Sequence, residues 1–359
     1  MNRIEELRKK MAAEEIDALV ISSEVNQSYI CGLDYTDGYV LVLRETAYVL
    51  ADFRYIEIAE KTVDASVFRV VRPEGGMLTC VAETLQKEGA KKVTFEEDEL
   101  FVASYLRLRG GLEKDVELVP GGSAILNALR QVKDQGELEV TARAQDITDR
   151  AFEHILKVIR PDMTERELAL ELEFTMRKMG ADAMAFDIIA VSGTASSLPH
   201  GVPRDCKLER GFLTMDFGAK VGGYCSDMTR TVVIGKADEE MKRLYNTVLS
   251  AQKAALDMLR EGVTGIAADK VARDIIEGAG YHGCFGHGLG HGVGRYIHEN
   301  PRLSPSAGEK MLVRGNIVTV EPGIYLAGKY GCRIEDMVAI TENGIRNFTK
   351  SPKELIELY

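Results

Sequence analysis

The chain has 359 residues, about two domains' worth at roughly 150 residues each, and its 45% apolar content lets each domain bury a core, which excludes a disordered or fibrous chain. Forty-five Lys and Arg against 56 Asp and Glu leave a net charge of −11, which repels nucleic-acid phosphates and anionic lipid surfaces. No basic patch reverses that balance, and no apolar run approaches the ~18 residues of a membrane span, so neither nucleic acid nor membrane is an expected partner.

At the N-terminus Ile4, Leu7 and Met11 recur at helical spacing among charges, a pattern unlike a signal peptide. Short β-rich runs follow (18–21, 39–43, 67–71, 93–95 and 116–119), alternating with helical stretches at 53–61 and 78–87. This is the grammar of a small α/β domain. The turn-like Pro120-Gly121-Gly122 sets an expected boundary, giving domains 1–122 and 123–359. A long charged helix then presents Leu138, Ile147, Ala151, Ile155 and Ile159 on one face until Pro161 stops it. Six cysteines (Cys31, Cys80, Cys206, Cys225, Cys284, Cys332) lie scattered without a CxxC pair, so a reducing cytoplasm is the expected compartment.

The second domain repeats itself. Arg210-Gly211 leads through an apolar run to Asp216-Phe217-Gly218, and Arg314-Gly315 leads through another to Glu321-Pro322-Gly323. Glycines mark a turn after each (Gly222-Gly223; Gly328 and Gly331), and a second carboxylate then opens an apolar strand: Asp227 before Thr231–Ile234, Glu335 before Val338–Ile340. His200-Gly201-Val202-Pro203-Arg204 is echoed by His298-Glu299-Asn300-Pro301-Arg302. Thr164-x-x-Glu167 reads as a capping box opening a helix that ends at Gly180, much as the helix over 266–276 ends at Gly278 and Gly280. A repeat present only twice implies two half-domains facing one another about a pseudo-twofold axis, with both acidic hairpins in one cleft.

Four carboxylates in one cleft repel: at about 4 Å each pair of like charges costs roughly 4 kcal/mol at an effective dielectric of 20. Two divalent cations would balance them and lower the pKa of a water held between them. A neutral imidazole suits the remaining ligand position, and 286–294 (Gly-His-Gly-Leu-Gly-His-Gly-Val-Gly) offers His287 and His291, with His298 beyond. Donor chemistry alone does not choose among them. The segment has no GxGxxG and no following Lys-Ser/Thr, so it is not a nucleotide loop. His154 reads as a surface residue, His282 as a loop residue, Cys225 and Cys332 as small buried neighbours, and Arg333 with Asp336 leaves open a surface ion pair.

Asp216, Asp227, His291, Glu321 and Glu335, at successive spacings of 11, 64, 30 and 14, resemble the five-ligand signature of the pita-bread metallopeptidases. The block 290–301 (Gly-His-Gly-Val-Gly-Arg-Tyr-Ile-His-Glu-Asn-Pro) is similar to the segment that bears that family's single metal-binding histidine. The resemblance spans the chain and implies an N-terminal α/β domain followed by a pita-bread catalytic domain with an internal repeat. It implies that Asp216 holds one metal, His291 and Glu321 the other, and that Asp227 and Glu335 bridge both.

His287, four residues before His291, the leading domain, and Gly331-Cys332-Arg333-Ile334-Glu335-Asp336 all resemble the proline-specific branch, the Xaa-Pro aminopeptidases and Xaa-Pro dipeptidases. Methionine aminopeptidases usually lack the first two features, and creatinase lacks an intact acidic set. The implied substrates are small peptides with proline second, and the implied assembly is a homodimer. Mn²⁺ suits a carboxylate-rich site, with Co²⁺, Zn²⁺ or Fe²⁺ also accepted by such ligands. Glu321 would shuttle the proton, His298 would hydrogen-bond the oxyanion, His200 and His287 would line the cleft, and Arg333, expected on one strand face with Glu335, would orient Asp216. A methionine aminopeptidase, or a peptide-binding relative without turnover, is the alternative reading.

Overall fold

The computed structural model describes residues 3–34 and 37–359 and divides by contacts into two units, Met1–Arg130 and Gln131–Tyr359. The first is built on one mixed sheet of six strands in the order Arg69–Val71, Ala47–Leu50, Tyr39–Leu43, Ala18–Ile21, Lys92–Phe95, Glu117–Pro120. Ala18–Ile21 runs antiparallel to Tyr39–Leu43 and parallel to Lys92–Phe95. Because side chains alternate along a strand, each face of this sheet carries its own core. Leu19, Ile21, Val40 and Val42 pack with Leu7 and Met11 on one face, and Ala18, Val20, Leu41 and Leu43 pack with Val81, Leu85 and Leu108 on the other.

The contact boundary falls after Arg130 rather than at the Pro120-Gly121-Gly122 turn. The helix Gly122–Arg130 sends Ile125, Leu126 and Leu129 into the core that holds Leu7 and Met11, so it belongs to the first unit. A turn motif marks a change of direction; only the apolar face of the next helix says which core it joins.

In the second unit two helices precede three antiparallel strands, twice. The helices Gln135–Val158 and Glu165–Lys178 lead to Ile189–Ser192, Gly211–Phe217 and Met228–Ile234. Glu239–Met258 and Gly265–Gly278 lead to Gly290–Gly292, Ile317–Val320 and Asp336–Thr341. Helix starts are set locally: Asp134 with Glu137 and Thr164 with Glu167 form capping boxes, and Thr264 caps the matching helix of the second half. Thr164 bridges to Lys207 and Thr264 to Met311, so even the isolated backbone contacts repeat.

Two buried charge clusters hold these halves. Glu165, at the start of its helix, accepts from the Ser192 amide and hydroxyl and from the Arg204 amide and guanidinium, at 2.6–2.9 Å. Burial opposes its charge, but these donors win and hold its carboxyl below the ordinary glutamate value. The stability it contributes is therefore present above the ordinary glutamate value and lost as the pH falls through the depressed one. Glu165→Gln is expected to flatten that acid limb in urea titrations between pH 3 and pH 7, and an unchanged slope would contradict the assignment.

Asp336, buried on Asp336–Thr341, accepts from Arg230 Nη2 at 2.8 Å and from Lys353 Nζ and Asn347 Nδ2 at 2.7 Å each. The surface pair left open between Arg333 and Asp336 is thus not formed: both side chains are buried, and each has other partners. Asp336→Ala leaves the Arg230 and Lys353 charges uncompensated and is expected to cost about 3–5 kcal/mol in urea unfolding. A loss under about 1 kcal/mol, the level of an exposed pair, would contradict the arrangement.

Candidate metal centre

Each half delivers its two carboxylates from either side of a hairpin. Asp216 lies in the strand Gly211–Phe217 and Asp227 just before Met228–Ile234; the hairpin Ala219–Val221 with Tyr224–Cys225 turns between them at Gly222 and Gly223, both left-handed (φ 55° and 80°). Glu321 follows Ile317–Val320 and Glu335 precedes Asp336–Thr341, with the hairpin Gly323–Leu326 and Tyr330–Arg333 between them. Arg333 ends its strand and Glu335 stands in the link beyond, so the two do not share a strand face as the sequence reading expected. The halves meet where the Glu335 amide donates to the Thr229 carbonyl at 3.1 Å.

His291 sits mid-strand in Gly290–Gly292, and its neighbours show why they are glycines. A Cβ at Gly290 would lie 2.1 Å from the Thr319 carbonyl oxygen, and one at Gly292 2.3 Å from that of Asn300. The strands can approach only without side chains there.

All five expected ligands line one cavity of about 630 Å³, together with His200, His287, His298 and Arg333. Oxygen and nitrogen atoms of Asp227, His291 and Glu335 lie within 4.8 Å of one another. His291 Nε2 is 3.6 Å from Asp227 Oδ2 and 3.3 Å from Glu321 Oε1. Its Nδ1 lies 3.0 Å from the Gly292 carbonyl, to which only an N–H can donate, so Nε2 turns its lone pair toward the carboxylates. Burial pushes its pKa down to about 3. Burial and the charges of Glu335, Asp216 and Glu321 hold Asp227 well above the usual carboxylate range, and burial with Glu321 and Asp216 does the same to Glu335. Glu321 is raised to about 7 by burial, against the opposing pull of Arg333. Acceptors facing acceptors in a buried site form a vessel for cations.

Neighbouring side chains aim these groups. Arg333 Nη2 donates to Asp216 Oδ2 at 2.7 Å, while Asp216 Oδ1 is buried without a hydrogen-bond partner among the described residues. The Thr229 hydroxyl donates to Glu335 Oε2 at 2.7 Å and the Thr319 hydroxyl to Glu321 Oε1 at 3.0 Å. Thr319 stands two positions before Glu321, a spacing visible in the sequence, whereas the Thr229 bond to Glu335 joins the two halves and was not. Tyr325 was invisible there: its hydroxyl meets Arg333 Nη1 at 2.8 Å and His287 Nε2 at 2.9 Å. Arg302 also lines the cavity, its guanidinium unpaired among the described residues; the echo with Arg204 marked it but gave it no role. His298 stacks its edge against His291, ring centroids 4.4 Å apart. Away from the cavity, His154 is half-buried against Glu171 at 2.6 Å, His282 lies in a turn, and Cys225 and Cys332 are buried.

The model of metallopeptidase family M24 matches residues 139–342, and that of the creatinase/prolidase N-terminal domain matches residues 3–132. The chain belongs to metallopeptidase family M24. It is 37% identical to the Xaa-Pro dipeptidase of Pyrococcus furiosus over 358 residues, 99% of each chain. Among solved structures it resembles the Xaa-Pro dipeptidase from Bacillus anthracis (41% identity, 99% of each chain, TM-score 0.95). It also resembles the X-Pro aminopeptidase from Thermotoga maritima MSB8 (37% identity, 96% and 98% of the two chains, TM-score 0.89). M24 architecture accounts for the duplicated helix and strand order: an N-terminal α/β domain followed by a pita-bread domain. The orphaned Asp216 oxygen and the exposed lone pair of His291 fit the divalent metal that a metallopeptidase of this family uses.

Proposed function

We propose that this chain is a cytoplasmic, homodimeric Xaa-Pro dipeptidase in which Asp216, Asp227, His291, Glu321 and Glu335 hold two divalent cations, Mn²⁺ by preference. One observation carries the reading: four carboxylates and an unprotonated imidazole nitrogen converge in a peptide-sized cavity that also contains the Arg302 guanidinium, unpaired among the described residues. Six free cysteines agree with a reducing compartment.

Walls made by Phe186, Ile188, Ile189, Val202 and Ile297 suit a pyrrolidine ring, and 630 Å³ suits a dipeptide. The scissile bond of Xaa-Pro is a tertiary amide whose nitrogen has no N–H, so the leaving nitrogen must receive a proton. Two divalent cations, when bound, supply Lewis acidity and a water of lowered pKa. Glu321, at the edge of the ligand set, would take a proton from the attacking water and pass it to the proline nitrogen. Burial lowers the His298 pKa from the ordinary imidazole value, and its N–H would donate to the developing oxyanion. His200 and His287 would flank the peptide, and Arg302 would receive the free carboxylate of the proline.

A substrate series tests the reading. With Mn²⁺ or Co²⁺, Ala-Pro is expected to be cleaved faster than Ala-Pro-Ala-Ala, and Met-Ala-Ser not at all; cleavage of Met-Ala-Ser alone would overturn it. Chelation is expected to abolish Ala-Pro hydrolysis and added Mn²⁺ to restore it, whereas full activity in chelator would exclude the metal role.

A further inference from the structure

His287 stands on a segment, 285–289, without helix or strand. Such a loop is ordinarily the most mobile part of a site. Here three of its backbone groups are taken by one ion pair on the helix Gly265–Gly278. Asp269 Oδ1 accepts from the Leu289 amide at 2.9 Å, and Arg273 donates from Nη1 to the Phe285 carbonyl at 2.7 Å and from Nη2 to that of His287 at 2.9 Å. The pair itself is bidentate, Nε to Oδ2 at 2.8 Å and Nη2 to Oδ1 at 2.9 Å, one helical turn apart. The guanidinium also lies 4.3 Å over the Phe285 ring, which stands edge-on to the His287 imidazole at 5.0 Å and 88°.

The imidazole is held at its other end as well. Its Nδ1 lies 2.9 Å from the Gly288 carbonyl, and its Nε2 meets the Tyr325 hydroxyl, which already accepts from Arg333. The tyrosine proton therefore points to Nε2, and His287 carries its own proton on Nδ1.

Stability alone does not account for the pair. Side-chain exposures of 2% for Asp269 and 23% for Arg273 mean that desolvation consumes most of the Coulombic gain, and an apolar pair would join helix to loop as firmly. What an apolar pair could not do is hold two carbonyls and an amide on both sides of one histidine.

We propose that Asp269 and Arg273 are positioning residues for the reaction: they fix segment 285–289 so that the His287 imidazole faces the substrate cavity in a single tautomer and rotamer. The proposal rests on the Xaa-Pro reading only in giving His287 a task at that cavity. Arg273→Lys keeps the charge beside Asp269 but gives up the fork that reaches both carbonyls.

Three readouts test it. In Arg273→Lys, kcat/KM for Ala-Pro is expected to fall about tenfold or more, within the range for losing an outer partner of a site residue. In a His287→Ala background the same change is expected to cost less than about twofold, because the residue being positioned is gone. Long-range ¹H–¹⁵N spectra of the metal-free protein at neutral pH are expected to show His287 as the single Nδ1–H tautomer in the native chain and as a mixture in Arg273→Lys. Equal kinetic losses in both backgrounds, or identical spectra, would overturn the proposal. Asp269→Asn, which keeps an acceptor for Leu289 but breaks the bidentate pair, takes its place should Arg273→Lys fail to fold. Inactivity of the native chain toward Ala-Pro would overturn the Xaa-Pro reading and leave the spectra to decide the positioning role.

Discussion

Asp227→Asn is expected to lower kcat/KM for Ala-Pro by more than about 100-fold, beyond the 10–100-fold that follows loss of an outer-sphere partner. Asp227 is the carboxylate with most at stake: it is buried, faces His291 Nε2, and feels the charges of Glu335, Asp216 and Glu321. Those facts predict an opposite effect on the metal-free protein. Without cations the four acidic groups repel in a desolvated site, so a neutral amide relieves strain and raises the melting temperature of the metal-free chain. Mn²⁺, which stabilises the native chain by mass action, is expected to add less to the variant. Calorimetry with and without metal, beside initial rates, checks both. Near-native activity, or a metal-free variant less stable than the native chain, would mean that Asp227 is an ordinary turn residue.

Arg302→Gln is expected to raise KM for Ala-Pro by about 10–100-fold, the equivalent of one charge-assisted hydrogen bond of about 1.5–3 kcal/mol. Ala-Pro amide, which has no carboxylate to offer, is expected to be nearly indifferent to the change. The contrast matters more than the loss: a guanidinium that only tempers the electrostatics of His291, His298 and Glu321 would affect acid and amide alike. Equal losses for the two substrates would remove Arg302 from carboxylate recognition and, with it, the preference for dipeptides.

Much of this was legible because it is local. A strand, a carboxylate, a glycine turn and a second carboxylate are written within about twenty consecutive residues, and the chain writes them twice; Thr164 with Glu167 likewise declares a helix start from four positions. The glycines at 290 and 292 are plain in the sequence, but Thr319 and Asn300, the backbone they let approach, are not. What stayed hidden depends on contacts between distant segments. Nothing in the neighbourhood of Tyr325 tells that its hydroxyl joins His287 to Arg333, and Asp269 and Arg273 read as an ordinary i,i+4 pair until the loop at 285–289 folds over them. The domain boundary slipped for the same reason, since a turn at Gly121 is local but the core that Leu126 joins is not.

Metal stoichiometry measured alongside activity tests the central claim most directly. Metal-free protein titrated with Mn²⁺, with bound metal counted by mass spectrometry and Ala-Pro hydrolysis followed at each step, is expected to reach full activity at two ions per chain. It is expected to bind fewer when any of Asp216, Asp227, His291, Glu321 or Glu335 is replaced. Full hydrolysis at less than about 0.1 ion per chain, or binding indifferent to all five replacements, would contradict a two-cation centre built from the paired acidic hairpins.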